Sequence, residues 1–140
     1  MKHHLQEISF ETTGAVEFID LTARVREAFA RSGVQDGLVT VFTRHTTTAV
    51  KINERCSRLQ EDMLAFLERA VPDAAYRHDE ETVDGRQNAR SHLMSLLLNA
   101  SETVPAAEGE LLLGEWQSIF FVELDGPRTQ RSIFVRVVGE

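Results

Sequence analysis

Cysteine is almost absent from this chain of 140 residues, in which Cys56 is the only one. A single thiol cannot form an internal disulfide, and it excludes a zinc site built from several cysteines. The chain also lacks an apolar run long enough to span a membrane. No basic segment followed by an apolar core opens the sequence, so we expect no signal peptide, no membrane partner and a cytoplasmic protein.

Positive charge is scarce as well. The chain has 15 Lys and Arg against 22 Asp and Glu, which gives a formal net charge of -7. This balance argues against a nucleic-acid partner, because a surface that binds nucleic acid is basic. A small anionic ligand remains compatible, since a site can be locally positive. A hydrophobic content of 42% and a charged content of 26% fit one globular domain over residues 1–140.

Hydrophobic patterns divide the chain into strands and three helices. We predict extended segments over residues 3–12, 16–19, 39–45, 47–53, 103–105, 111–113, 118–124 and 132–138. The predicted helices run from Asp20 to Gly33, from an Asn53 N-cap to Pro72, and from Asn88 to Asn99. Cys56 falls on the apolar stripe of the second helix, so we expect it in the core rather than as a nucleophile. The leucine-rich third helix should be well buried.

The stretch over residues 40–54 combines a β-branched run with a dense polar cluster. Within ten residues it holds His45, three threonines, Asn53 and Glu54. Strand alternation would place the histidine on the same face as two valines. The structural alternative is a threonine-rich strand pair with one surface histidine, followed by Asn53 and Glu54 at the start of a helix.

Two further polar features stand out. The acidic segment over residues 72–87 surrounds His78, and it is either a solvated loop or a lid that brings this histidine and a carboxylate to a site. The third helix carries one polar stripe, made of Asn88, His92, Ser95 and Asn99. Because polar groups on a buried helix need partners, this stripe favours an edge that faces a site over a single satisfied core histidine.

These clusters resemble the motifs of the YjbQ-like family, also called secondary thiamine-phosphate synthase enzymes. The matching elements are His45-Thr46-Thr47, Asn53-Glu54, Asp62, Tyr76-x-His78-Asp79, Ser91-His92-Leu93, Gly114-x-Trp116-Gln117 and Asp125-Gly126-Pro127-Arg128. Their order and spacing extend over nearly the whole chain. Two positions depart from the common pattern: Arg90 stands where many members have a histidine, and Glu115 where many have a threonine.

The resemblance implies an α+β fold, an antiparallel β-sandwich with about three flanking helices. It also implies a homotrimer with sites near the subunit boundaries. The associated activity joins a hydroxymethylpyrimidine diphosphate to a thiazole phosphate, forms thiamine phosphate and releases pyrophosphate. Since this activity is regarded as secondary, the physiological substrate is open.

The matched motifs supply candidate residues for that chemistry. We assign catalytic roles to His45, His92 and Glu54, and a shared divalent metal, zinc or magnesium, to His45, His78 and His92. The candidates for binding a small phosphorylated substrate are Thr46, Thr47, Thr48, Asn53, Trp116, Gln117 and Arg128. The three imidazoles should therefore meet in one pocket.

Two other functions fit the same residues. The first is a metal-dependent hydrolase of a small phosphorylated metabolite, with Glu54 or Asp79 as the base. The second is a non-catalytic trimeric protein whose polar clusters bind a metabolite.

Overall fold

The computed structural model describes residues 1–140 as eight strands and three α-helices. Along the chain these are β1 Lys2–Phe10, β2 Glu17–Asp20, α1 Thr22–Ser32, β3 Gly37–Phe42, β4 Thr48–Glu54, α2 Ser57–Ala70, α3 Ala89–Ser95, β5 Ser101–Ala107, β6 Glu110–Leu111, β7 Gln117–Glu123 and β8 Arg131–Gly139. A short 3₁₀-helix, Arg77–Asp79, lies between α2 and α3. None of the helices is both long enough and apolar enough to cross a membrane.

The strands form two antiparallel sheets. The larger has five strands in the order β1-β8-β3-β5-β6, and the smaller has three in the order β2-β7-β4. Valines on alternate positions of β3 and β8 point inward from the larger sheet and meet Ile119 and Phe121 of β7. Helix α1 completes this core with Val25 and Phe29. The expected α+β sandwich with three helices is thus confirmed.

Strand β7 is buried on both faces. While Ile119 and Phe121 face the sandwich, Phe120 and Val122 belong to a second, smaller cluster that includes Leu67 of α2. The alternation of a strand sends successive side chains to opposite faces, so a continuous apolar run suits this position. A carboxylate at the end of such a strand must therefore find partners inside the protein.

Two local predictions are wrong at the junction of β4 and α2. Asn53 and Glu54 continue the strand, because they pair with Ser118 and Gln117 of β7, and α2 begins only at Ser57. The hydrogen-bonded ladder outweighs the capping preference of asparagine. Cys56 is exposed rather than part of the core.

The third helix is also shorter and less buried than predicted. It ends at Ser95, and the next two residues, Leu96 and Leu97, have exposed fractions of 77% and 51%. Helical periodicity cannot separate a buried helix from a short one followed by exposed leucines, because both give the same run of apolar residues.

Candidate functional site

A polar cavity of about 490 Å³ opens where the β3–β4 loop, the segment between α2 and α3, and the β7–β8 turn meet. Its volume is typical of small-molecule sites. Only one lining residue is hydrophobic. The lining consists of Arg44, His45, Thr46, Thr47, His78, Glu81, Val83, Asp84, Asn88, His92, Arg128 and Arg131. We refer to this space as the polar cavity.

Buried threonines fix the loop that carries His45. The hydroxyls of Thr43 and Thr48 lie 2.8 Å apart, and the Thr48 hydroxyl donates a hydrogen bond to the carbonyl oxygen of His45 at 3.1 Å. Thr43 Oγ1 accepts the His45 N–H at 3.3 Å. Thr48, which we expected to bind substrate, is only 4% exposed and uses its hydroxyl inside the loop. The neighbouring Thr46 and Thr47 line the cavity.

The imidazole of His45 is anchored by the backbone of β8. The Ser132 N–H donates a hydrogen bond to Nε2 at 3.1 Å. Because a backbone amide can only donate, Nε2 is unprotonated and the neutral ring carries its hydrogen on Nδ1. Nδ1 of His45 makes no hydrogen bond within the protein. If it were buried it would be an unsatisfied buried atom, but the only such side-chain atom is His4 Nε2. Nδ1 of His45 is therefore accessible. His45 therefore presents a hydrogen-bond donor.

The surroundings keep this ring neutral. Burial lowers the pKa of His45 below its ordinary value of 6.5, and the positive charge of Arg131 lowers the pKa further. Arg44 and Arg128 act in the same direction, while Glu123 opposes them. The donor arrangement at Nδ1 is consequently stable at neutral pH.

The lowered pKa of His45 should be visible in stability. Between the folded-state pKa and 6.5 the unfolded chain binds a proton at this residue that the folded chain does not. The free energy of unfolding should therefore rise with pH across this window and level off above it. Urea titrations between pH 5 and pH 8 should show this slope reduced in His45→Asn and unchanged in His3→Asn, whose position is exposed. An equal slope in wild type and His45→Asn would contradict the assignment.

A buried ion pair lies behind the cavity wall. Arg131 and Glu123 form a two-pronged pair, with Nε–Oε2 and Nη2–Oε1 distances of 2.7 and 2.6 Å, and their side chains are 4% and 0% exposed. The Thr12 hydroxyl and the Asp125 N–H also donate to the carboxylate, at 2.8 and 3.0 Å. Arg131 Nη2 donates in addition to Thr47 Oγ1 at 3.0 Å. These bonds offset the desolvation of two buried charges.

Both members of this pair stay charged. Burial raises the pKa of Glu123, but hydrogen bonds from Arg131, the Asp125 N–H and Thr12 lower it by more, so the pKa falls below 4.5. Nη1 of Arg131 makes no hydrogen bond within the chain and is not a buried unsatisfied atom. The ion pair therefore fixes the guanidinium of Arg131 and leaves its Nη1 free to donate hydrogen bonds.

A second arginine is held by the β7–β8 turn. Arg128 donates from Nε to the Asp125 carbonyl at 2.9 Å and from Nη2 to Asp125 Oδ2 at 2.7 Å. The Asn88 amide donates to the same Oδ2 at 2.8 Å, so its oxygen faces His78 Nε2, 3.1 Å away. Nε2 of His78 must then be the donor. Arg128 is thus positioned from one side and keeps Nη1 free.

The third predicted histidine completes the wall. His92 lies on α3, and its ring packs edge-on against that of His78, with the centroids 4.9 Å apart. Neither ring nitrogen of His92 has a hydrogen-bond partner in the chain. His45, His78 and His92 therefore line one cavity, as their motifs predicted. Of the polar stripe, Asn99 turns away and instead accepts a hydrogen bond from Lys51.

The histidines do not form the shared metal site that the sequence suggested. No group of three or more His, Cys, Asp or Glu side chains is arranged to hold a metal ion. His45 uses the lone pair of Nε2 for the Ser132 N–H, so it offers no ligand atom unless that bond breaks. As placed in this structure, the residues do not fit a three-histidine centre, and the divalent metal stays a prediction.

Four other candidates lie away from the cavity. Asn53 and Glu54 end strand β4, whereas Thr48 at its start adjoins His45. The six residue-to-residue steps from Thr48 to Glu54 span about 20 Å. Gln117 pairs with Glu54, and Trp116 is 69% exposed beside it. Within one chain Glu54 is too far from His45 to act on the same bound group, so its catalytic role stays a prediction.

Sequence reasoning missed the buried ion pair and Arg44. Glu123 was a detectable signal, because it is the only charged residue in the apolar run Ile119–Leu124 and a buried carboxylate needs a partner. Arg131 begins the next strand and lies close to it across the turn. Arg44 is exposed and places its guanidinium 4.7 Å from the ring centroid of Phe134.

Comparison with known proteins identifies the family. The family model described as "UPF0047 protein YjbQ-like" matches residues 6–140. A UPF0047 protein of Methanothermobacter thermautotrophicus is 47% identical over 141 residues, which cover 100% of this chain and 95% of that protein. The UPF0047 protein YugU of Bacillus subtilis is 32% identical, with 96% of this chain and 99% of that protein covered.

Solved structures agree with this assignment. A YbjQ-like protein of unknown function from Sulfolobus solfataricus superposes with a TM-score of 0.93 at 36% identity, covering 99% of both chains. A YjbQ/UPF0047 family protein from Clostridium acetobutylicum superposes with a TM-score of 0.86 at 36% identity, covering 95% of this chain and 99% of the other. The sequence match and the shared fold both extend over nearly the whole chain, which belongs to the YjbQ-like UPF0047 family.

Proposed function

We propose that the polar cavity binds the diphosphate of a hydroxymethylpyrimidine diphosphate and that the protein transfers the pyrimidine to a thiazole phosphate. The observation that carries this proposal is the set of free donors on one wall. Nη1 of Arg131, Nη1 of Arg128 and Nδ1–H of His45 all lack partners within the chain. Guanidinium groups and N–H donors are the groups that bind phosphate oxygens best. The wall offers these free donors although each of the two arginines is also paired with a carboxylate.

This transfer needs little acid–base chemistry. The carbon–oxygen bond at the pyrimidine methylene breaks, and its electron pair leaves on pyrophosphate. The thiazole nitrogen attacks the methylene carbon with its own lone pair, so no proton has to be removed from the nucleophile. Catalysis then consists mainly of orienting both rings and stabilising the departing anion. Fixed donors such as His45 and Arg131 suit that task.

The hydrolase is a weaker candidate, because hydrolysis requires a base that takes a proton from water. Glu54 lies at the far end of β4, and Asp79 is not among the residues that line the polar cavity. In the cavity, His92 has two unpaired ring nitrogens and His78 has an unpaired Nδ1, whereas the unpaired Nδ1 of His45 carries a hydrogen. A base for hydrolysis would therefore have to be His78 or His92. A non-catalytic binding protein would use the same donors without turnover.

One assay separates these three functions. Purified protein is incubated with the pyrimidine diphosphate, with and without the thiazole phosphate, and pyrophosphate and thiamine phosphate are measured. The transferase should release pyrophosphate only when both substrates are present, in step with thiamine phosphate. Phosphate or pyrophosphate release without the thiazole would indicate a hydrolase, and binding without any release would indicate a binding protein.

Arg128 should contribute mainly to substrate affinity. Arg128→Ala removes one charge-assisted contact, which costs about 1.5–3 kcal/mol, or about ten- to two-hundred-fold in affinity. Steady-state kinetics should show this as a raised KM for the pyrimidine diphosphate. Arg26→Ala, an exposed and unpaired arginine on α1, is the matched control and should behave as wild type. An unchanged KM in Arg128→Ala would mean that this side chain only pairs with Asp125.

We also propose the homotrimer that the family resemblance implies. It is supported by apolar side chains on the outer face of the larger sheet, where Leu5, Leu38 and Phe42 are 51%, 54% and 41% exposed. Exposed apolar groups on one sheet face are typical of a surface between subunits. Light scattering at micromolar concentration should return three times the mass of the 15.8 kDa chain. A monomer mass would contradict the proposal.

A further inference from the structure

A second cavity, of about 340 Å³, lies between α2 and the three-stranded sheet. Nine of its 12 lining residues are hydrophobic. The lining consists of Phe18, Lys51, Asn53, Leu59, Asp62, Met63, Phe66, Leu67, Leu97, Leu98, Phe120 and Val122. We refer to it as the apolar cavity. It shares no residue with the polar cavity, so it is a separate site.

Helix α2 leaves this space open instead of filling it. The helix has a long apolar stripe, yet Leu67 is its only buried residue. Leu59 and Met63 line the cavity, and Phe66 is 58% exposed at its edge. A helix that served only to cover the sheet would bury these side chains against Phe120 and Val122. The cavity is therefore walled by α2, floored by the sheet and open at one side.

Lys51 is the unusual member of the wall. It lies on β4 between Ala49 and Asn53 on the face that packs toward α2. Its ammonium group donates one hydrogen bond, to Asn99 Oδ1 at 3.1 Å, and no acidic group lies within 4.0 Å of it. A lysine on an apolar, half-buried face normally pairs with a carboxylate. This ammonium group instead keeps two donors for another partner.

The neighbouring polar groups define what that partner can be. The Asn53 side chain uses its oxygen for the Glu54 N–H and has no acceptor for its amide hydrogens. Asp62, on α2, also lines the cavity and belongs to none of the salt bridges of the chain. The positive charge of Lys51 favours one anionic group of a ligand beside it. The negative charge of Asp62 disfavours a second anionic group in the same cavity.

We propose that the apolar cavity binds a small organic monoanion, with an aromatic or branched apolar body and a carboxylate or sulfonate head. The body packs between α2 and Phe120, and the head accepts hydrogen bonds from Lys51 and Asn53. The charge of Lys51 and the concave apolar wall favour this occupant over a helix from another protein, which would need a longer and flatter groove.

A pair of fluorescent probes tests this proposal. The dye 8-anilinonaphthalene-1-sulfonate carries an aromatic body and one negative charge, and N-phenyl-1-naphthylamine has the same rings without the sulfonate. Both should bind the folded full chain saturably at one site per chain. Lys51→Met should weaken binding of the sulfonate about tenfold or more, as expected for one lost charge-assisted contact. The same variant should bind the neutral dye with an affinity within about twofold of the wild-type value, since the apolar side chains of the cavity are unchanged.

Two further variants complete the design. Met63→Trp fills the cavity from the helix side and should abolish binding of both dyes. Arg58→Gln removes an exposed charge of α2 outside the cavity and should change neither affinity. Circular dichroism and thermal unfolding show that each variant is folded, and Lys51→Gln replaces Lys51→Met if the latter is not.

Several outcomes would overturn the proposal. They are the absence of saturable sulfonate binding, equal loss of both dyes in Lys51→Met, or undiminished binding in Met63→Trp. Light scattering during the titration shows whether the dye changes the oligomeric state. If the dye changes the mass of the assembly, the cavity is a contact between copies of the chain, and the proposal of a small-molecule site is wrong.

Discussion

Replacing Glu123 with leucine should lower the free energy of unfolding by about 3–5 kcal/mol, because it leaves the buried Arg131 guanidinium without its counter-charge. Leucine is close in size to glutamate, so the loss reports the unpaired charge rather than a large cavity. Thr12 and the Asp125 N–H also lose their acceptor. Urea unfolding followed by circular dichroism measures the effect. A loss below about 1 kcal/mol would show that the pair is not structural.

The double variant Glu123→Leu/Arg131→Met is the matched control for this prediction. Removing both charges replaces a buried ion pair with apolar groups, which is often neutral for stability. The double variant should therefore be clearly more stable than Glu123→Leu alone. It should nevertheless lose affinity for the diphosphate, because the guanidinium of Arg131 is gone. The two variants would thus distinguish the contribution of the ion pair to stability from the contribution of Arg131 to diphosphate binding.

His45→Ala should lower kcat by about 10²–10³-fold, as the loss of one fixed donor to a developing negative charge does elsewhere. The structure assigns this residue a hydrogen-bond donor at Nδ1, which differs from the metal ligand or proton-transfer group that the sequence suggested. Stopped assays of pyrophosphate release on the folded variant measure the effect. A His45→Ala protein that keeps most of its rate would exclude a role for this side chain.

His45→Asn distinguishes a donor from a base. The amide of asparagine reaches about as far as Nδ1 and can donate a hydrogen bond, but it cannot take up a proton. If His45 only donates, His45→Asn should keep at least about ten times more activity than His45→Ala, since one donor contact is worth more than about 1.4 kcal/mol. Equal inactivity of the two variants would favour proton transfer or ligation instead.

The fold was largely predictable because its strands follow simple alternation. Val39 and Val41 face the core as the period of two required, and the mixed pattern of helices and strands matched the family resemblance. The errors came where two local signals compete. Asn53 has the preferences of a helix cap, but its pairing with Ser118 across the sheet depends on a residue 65 positions away and cannot be read locally.

The candidate site was predictable in its histidines and less so in its charges. His45 and His92 could be selected because each interrupts an otherwise regular pattern, and His78 because it lies in a long acidic segment and in a family motif. Asn53, Glu54, Trp116 and Gln117 shared the family motifs but lie at the other end of β4. Sequence order gives no distance along a strand pair unless the pairing is known, so their separation from His45 became visible only in the structure.

The protonation of His45 could not be predicted from the sequence at all. Its tautomer depends on the Ser132 N–H, and the lowered pKa depends on burial and on Arg131, both far along the chain. These contacts convert a residue that resembled a metal ligand into a donor. The chemistry of the site is therefore set by tertiary contacts, although its location is marked in the sequence.

Calorimetric titration with inorganic pyrophosphate shows whether the polar cavity binds a diphosphate through Arg128, Arg131 and His45. We expect one site per chain in the wild type and in Arg26→Ala, with affinity lowered about tenfold or more in Arg128→Ala. Absence of binding, or equal affinity in Arg128→Ala and wild type, would contradict this expectation.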